Sequence, residues 1–213
     1  MGRRIFLLSP ASCSGKRASL LIREKASFPL ALRVRDGDGA ELGEVFSFVS
    51  GLYFRGKLAY ARAFGRSSGP VPPALVITPT RGMLAPGFRV TADDLREFAS
   101  VSIGAGENLY RLPFERDARR LARTLAPGDD VVLLGSVATG KYVDILLDAL
   151  GTRLLFPADF AGRGDMSRGG LLLRSAREGR ELAYAPASSG ERHGPRPPRL
   201  PPAAPAPTEG DRP

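Results

Sequence analysis

Four short apolar runs, IFLLS, ALVITP, VVLLG and RLLFP, limit what this chain can fold into more than any other feature. Each is continuous rather than alternating, as expected of strands covered on both faces, and such strands belong to parallel sheets. Helical patterns fill the intervals. RGKLAYARAF follows the aromatic run FSFVSGLYF, and TADDLREFA opens on a capping Thr91. PFERDARRLARTLA carries Pro113 near its first turn and Pro127–Gly128 beyond its end, and KYVDILLDALG closes on Gly151. FPLALRVRDGDGAEL reads as a further strand with a DG turn, and LLLRSAREGRELAYAP as a C-terminal hairpin. The expected fold over residues 1–187 is therefore a single α/β domain. It has a mainly parallel central sheet covered by helices, with a C-terminal antiparallel hairpin.

From Ser188 onward the composition changes. Eight of the 19 prolines lie there with almost no large apolar residues, so residues 188–213 read as a disordered Pro-rich tail. The only histidine, His193, falls in that tail, and the rest of the chain has no imidazole. With Cys13 the only cysteine, zinc and iron–sulfur sites lack ligands, and neither a Ser-His-Asp nor a Cys-His unit can be assembled. No metal site and no particular cofactor is indicated, although a hard cation such as Mg²⁺ held by carboxylates and phosphates stays open. No apolar stretch approaches membrane-spanning length and the N-terminus lacks a secretory pattern, so a cytoplasmic protein is expected.

A net charge of +9 and a pI near 10.4 favour acidic partners, either an anionic small molecule or nucleic acid. The excess is spread along the chain, and the densest cluster, Arg116 to Arg123, reads as a solvated helix face. The lysines are more informative. Only four occur, and Lys16, Lys57 and Lys141 each directly follow a glycine, in SGK, RGK and TGK. In so arginine-rich a chain, these positions suit work that needs a compact ammonium able to lose its proton or meet a phosphate. Chance placement in three turns is the plainer alternative.

Four loops after predicted strands carry the candidate chemistry. GSVATGK, from Gly135 to Lys141, fits G-x-x-x-x-G-K between a strand and a helix, the setting of a phosphate-cradling loop. Lys141 there stands against the positive end of the helix dipole unless an anion sits beside it. Tyr142 replaces the hydroxyl that would hold Mg²⁺, which leaves another kind of anion site, or a simple strand–helix turn, as alternatives. Gly135, Ser136, Gly140, Lys141 and Tyr142 are the candidate ligand-binding residues of this loop.

LLSPASCSGKRASLL leaves the first strand with Ser12, Cys13, Ser14 and Lys16. Cys13 beside Lys16 is a candidate lowered-pKa thiol, or else a semi-buried thiol in a polar turn. VITPTRGMLAP offers Thr78 and Arg81. FPADFAGRGDMSRGG supplies Arg163, Asp165 and Arg168, either in a pliable binding loop or in a plain surface loop. If these exits share one sheet edge, Lys16, Cys13 and Asp165 are the catalytic candidates, with Asp144 and Asp159 as further acid–base groups. Lys57 and the arginines would then hold an anion.

The order of these blocks resembles that of YaaA-like proteins and the related lysine-transferring domain of archaeosine synthase. The residues carrying it are Ser9, Pro10, Cys13 and Lys16; Leu52 and Tyr53; Thr78, Gly82 and Leu84; and Gly135 and Tyr142. The resemblance spans most of residues 3–160. The chain lacks the histidine of the archaeosine-type motif, has TPTRGM at the third block and adds GRGDMSRGG. It implies an α/β fold associated with nucleic acids or modified purine-like bases. The expected function is binding of an anionic nucleotide, nucleobase or nucleic-acid ligand at the strand carboxyl edge, with a nucleic-acid or nucleoside modification enzyme as the activity such a site would serve. The alternatives are a non-catalytic DNA- or RNA-binding module and a P-loop-like nucleotide-dependent enzyme.

Overall fold

The computed structural model describes residues 2–67, 69–104, 107–138, 140–189, 194, 197 and 198. His193 and most of the Pro-rich tail lie outside them. In chain order the elements begin with β1 (Arg4–Leu8), α1 (Lys16–Ile22), α2 (Pro29–Arg35), β2 (Ala40–Glu41), α3 (Leu42–Ser50) and α4 (Leu52–Phe64). Next come β3 (Ala74–Ile77), β4 (Met83–Leu84), β5 (Arg89–Val90), α5 (Ala92–Ser100) and α6 (Asn108–Thr124). The last are β6 (Asp130–Leu134), α7 (Gly140–Leu150), β7 (Leu154–Pro157), α8 (Asp165–Glu178) and β8 (Tyr184–Pro186).

The central sheet has the order β4-β3-β1-β6-β7-β8. The four apolar runs form its inner strands β3, β1, β6 and β7, all parallel. β4 and β8 close the two edges in antiparallel fashion. Ile5 to Leu8 and Val131 to Leu134 are wholly buried, as continuous apolar strands require. A separate two-stranded ladder joins β2 to β5. From β1 the chain first goes to β3 on one side and later returns to β6 on the other. The boundary between β1 and β6 is therefore a topological switch point, where the loops diverge and leave a crevice.

Helix α4 packs on β1 and β3 and most closely against α8, while α6 packs on α7. A Cβ at Gly56 of α4 would lie 2.6 Å from the Gly169 carbonyl oxygen, and one at Gly169 would lie 2.8 Å from the Tyr53 Cα. Two glycines thus let the α4 and α8 backbones touch. Thr91 caps α5 in a full capping box with Asp94. α7 ends at Gly151, which adopts a φ of 57°.

Three local expectations change. PLALRVR forms α2 rather than a strand: its alternating pattern mimics a strand, but Leu30, Ala31 and Val34 are buried together on one helical face, with Pro29 in the first turn. LLLRSARE belongs to α8, whose buried Arg168, Gly169, Leu172 and Ser175 follow helical spacing. The antiparallel partner of β8 is accordingly β7 across that helix, not the segment just before it. α6 begins at Asn108, so Pro113 sits inside the helix rather than in its first turn. Its missing N–H still leaves the helix running to Thr124.

Candidate functional site

The β1–β6 crevice opens into a cavity of about 690 Å³ at the carboxyl edge of the sheet. Its walls differ in chemistry. Phe98 near the end of α5, only 1% exposed, with Val101 and Ile103 just beyond it, gives the lining apolar members, and Ser102 stands between the last two. The rest of the lining carries hydroxyls from Ser9, Ser12, Ser14, Ser50 and Ser136, together with Tyr53, Lys141, Tyr142 and Asp165. Such a volume and division suit a ligand with a flat apolar part and a polar or charged end.

The loop after β6 reaches the cavity because Gly135 has no side chain: a Cβ there would lie 2.9 Å from the Ser9 Cβ. Val137 is turned into the core, and Thr139 lies outside the described residues. The Tyr110 hydroxyl donates to the Lys141 carbonyl oxygen at 2.8 Å and so pins the first turn of α7. The Lys141 ammonium lies 5.5 Å from the centre of its neighbour's ring, Tyr142. Among the described residues it makes no ion pair, whereas every ion pair there uses an arginine. Burial pushes the Tyr142 phenol up to about 12, and the Asp165 charge adds to that.

Lys57 lies directly behind this surface, only 1% exposed. Its Nζ donates to the Ser9 carbonyl oxygen at 2.5 Å and to the Ser9 Oγ at 2.9 Å. It also sits 4.4 Å from the Tyr53 ring centre and 4.9 Å from that of Phe54. No carboxylate among the described residues pairs with it, and burial lowers its pKa to about 7, partly offset by the charge of Asp165. The Tyr53 hydroxyl is buried and lacks a hydrogen-bond partner. Burial raises its pKa, while the neighbouring Arg168 opposes the rise. Arg168, itself buried, donates through Nε and Nη2 to the Phe160 carbonyl oxygen at 3.3 and 3.0 Å and stands 3.7 Å from Asp165.

The structure thus gathers Ser12, Cys13, Ser14, Ser136, Lys141, Tyr142 and Asp165 around one cavity. Lys57, Gly135 and Arg168 stand immediately behind it, bonded to or packed on groups associated with it. Other candidates are elsewhere. Lys16 is exposed at the start of α1 and does not line the cavity. Thr78 is tied into its own turn, donating to the Gly82 carbonyl oxygen at 3.0 Å and accepting from the Arg81 N–H at 3.1 Å.

Arg81 is an internal brace, not an anion clamp at this cavity. It pairs with Asp94 and Glu97, each at 2.5 Å, and its guanidinium carbon lies 5.7 Å from the Phe98 ring centre. Arg163 caps local structure through the Asp159 carbonyl oxygen and the Ser167 hydroxyl. At Gly140 a Cβ would collide with the Asp144 carboxylate, so that acid is folded back on the first turn of its own helix. GRGDMSRGG is not a pliable loop throughout, because α8 begins at Asp165.

The expectation of a lowered Cys13 thiol pKa is corrected. The side chain is buried, donates weakly to the Ala11 carbonyl oxygen at 3.8 Å, and burial alone pushes its pKa up to about 12. A thiolate at neutral pH is therefore not what this site offers. Sequence reasoning named Ser9 and Tyr53 only as carriers of the family resemblance, not as site residues, and left out Phe98, Val101 and Ile103.

Among the described residues, no three His, Cys, Asp or Glu side chains stand close enough together to hold a metal ion. No helix there is long and apolar enough to cross a membrane. No protein-family model, curated protein or solved structure matches the chain.

Proposed function

We propose that this chain binds a nucleotide or a similarly sized anionic nucleobase derivative in the β1–β6 cavity. The ring would lie along Phe98, Val101 and Ile103, and the anion would meet Lys141 and the serine hydroxyls. The observation that carries this reading is the Lys141 ammonium: unpaired among the described residues, it lines the cavity from the first turn of α7. A cation at that end of a helix opposes the peptide dipoles, by about 0.3–1 kcal/mol, and a bound phosphate reverses the balance. The YaaA-like order of motifs supports the same reading, since Ser9, Pro10, Cys13, Tyr53 and Tyr142 all line this cavity.

The test is thermal stabilisation by a panel of mononucleotides, nucleosides and free bases, run on the wild type, Lys141→Ala and Lys16→Ala. A phosphorylated ligand should stabilise the wild type and Lys16→Ala alike and lose most of its effect in Lys141→Ala. Equal stabilisation in all three proteins would place the anion away from Lys141 and end this version of the proposal.

A further inference from the structure

Ser9 is the one serine of the cavity whose hydroxyl touches a buried amine. It stands just beyond the end of β1, at the switch point, and lines the cavity while being only 6% exposed. Lys57 approaches it from the protein side, out of reach of solvent, and bonds both to its carbonyl oxygen and to its Oγ. The contact to the carbonyl oxygen fixes the amine, and the 2.9 Å contact places Nζ where a base for that hydroxyl must stand. The Oγ is otherwise only 3.4 Å from the Leu134 carbonyl oxygen, a weak contact.

We infer that Ser9 and Lys57 form a serine–lysine nucleophile pair opening into the cavity, directed at esters whose acyl or alcohol part carries a phosphate or carboxylate. The choice of an anionic ester rests on the proposed anion site; the pair itself does not. An uncharged Lys57 keeps one N–H on the Ser9 carbonyl oxygen and accepts the Ser9 O–H through its lone pair. The Ser9 oxygen then attacks the ester carbon while its proton passes to Lys57 Nζ. As the bond to the alkoxide breaks, the alkoxide takes that proton and leaves as the alcohol. Water repeats the sequence on the acyl-serine: its proton passes to Nζ and then returns to the Ser9 oxygen as the carboxylic acid departs. No oxidant, metal or further co-reactant is needed.

The surroundings favour this role. Against Lys57 stands Tyr53 of its own helix, and the charge of Asp165 on α8 acts on it; Arg168 on α8 and Tyr142 on α7 act in turn on Tyr53. Burial lowers the amine's pKa to about 7, so about half of it is uncharged at that pH, and the charge of Asp165 works in the other direction. An ammonium buried without a carboxylate partner is unfavourable, so the site selects the form that can accept a proton. Lys141 and Ser136 line the same cavity as donors for charge developing on the ester oxygen.

The experiment exposes the full chain to a fluorophosphonate and, separately, to a small sulfonyl fluoride. Adducts are followed by intact mass and located by peptide mapping between pH 5.5 and 9. With either reagent, the Ser9 oxygen forms the new bond, fluoride leaves and the proton passes to Lys57. The expected result is a single adduct on Ser9, with a rate rising about tenfold per pH unit below pH 7 and levelling above it. Lys57→Met, with its fold checked by circular dichroism, should react at least ~100-fold more slowly and without that pH profile. An unmodified Ser9 in folded wild type with both reagents overturns the pair, as does an unchanged rate in Lys57→Met. Nucleotide stabilisation through Lys141 with Ser9 unmodified would leave the anion site standing and remove only the pair; a labelled Ser9 without that stabilisation would do the reverse.

Discussion

β1 and β6 run side by side, and their two ends treat charge in opposite ways. At the amino end, Arg3 donates to Asp129 from its backbone N–H at 2.7 Å and from Nε at 2.8 Å, and Asp129 also accepts from the Ala126 N–H at 2.7 Å. Next to it, Arg4 pairs with Asp130 and Glu181, each at 2.9 Å. Every charge there has an opposite. At the carboxyl end, Lys57 and Lys141 have no acidic partner among the described residues, and a cavity separates the loops. The Nε atoms of Arg4 and Arg66 are themselves buried without a hydrogen-bond partner at the amino end, so the difference between the two ends lies in the pairing of charges, not in the completeness of the hydrogen bonding. The contrast teaches that residue type at a strand exit says less about function than whether its charge already has an opposite.

The sharpest way to break this contrast is pH. In the unfolded chain Lys57 titrates near 10.5, and in the folded protein near 7. Between those values the unfolded state binds more protons, so stability rises with pH; below about pH 7 the full cost of the buried ammonium is present. Relative to Lys57→Met, the wild type should gain roughly 1.4 kcal/mol per pH unit from pH 7 towards 10, read by urea denaturation. A difference that stays flat across this range would mean that the amine is solvated or paired.

A smaller effect belongs to the amino end. Asp129→Ala strands the Arg3 and Ala126 donors and should cost about 3 kcal/mol of unfolding free energy at pH 7. The Arg3 hydrogen bond holds the Asp129 carboxyl down to about 2, so the native carboxylate's contribution should fade as pH drops from about 4 towards 2. Ligand stabilisation at the opposite end should survive the substitution at pH 7. The smallest effect is that of Lys141→Ala on the protein alone, within about 0.5 kcal/mol, because no bond is lost. A large loss of stability there would show Lys141 to be part of the framework and would erase the contrast.

The parallel strands were legible because a strand covered on both faces must be apolar throughout. Their order was not, since pairing β1 with both β3 and β6 depends on contacts far apart in the chain. PLALRVR was misread because seven residues are too few for alternation to separate a strand from a helical face. At the site, the GSVATGK loop, the serines after β1 and Asp165 were readable as polar groups at strand exits. Thr78 and Arg81 looked the same on the page but find their partners within a few residues or in α5, and partners are invisible to composition. Ser9 and Tyr53 were legible only as part of the order of blocks that resembles YaaA-like proteins; the meeting of Ser9 with Lys57 was not, because the amine comes from α4, far along the chain from the end of β1.

The two flanks of the sheet carry a consequence for how this molecule meets others. β4 has two residues, and β8 has three and contains Pro186, which offers no N–H. Open flanks are where foreign chains annex a sheet by adding a strand, and runs this brief give such an intruder almost nothing to zip onto. Association by ribbon extension is therefore discouraged on either side of the central sheet.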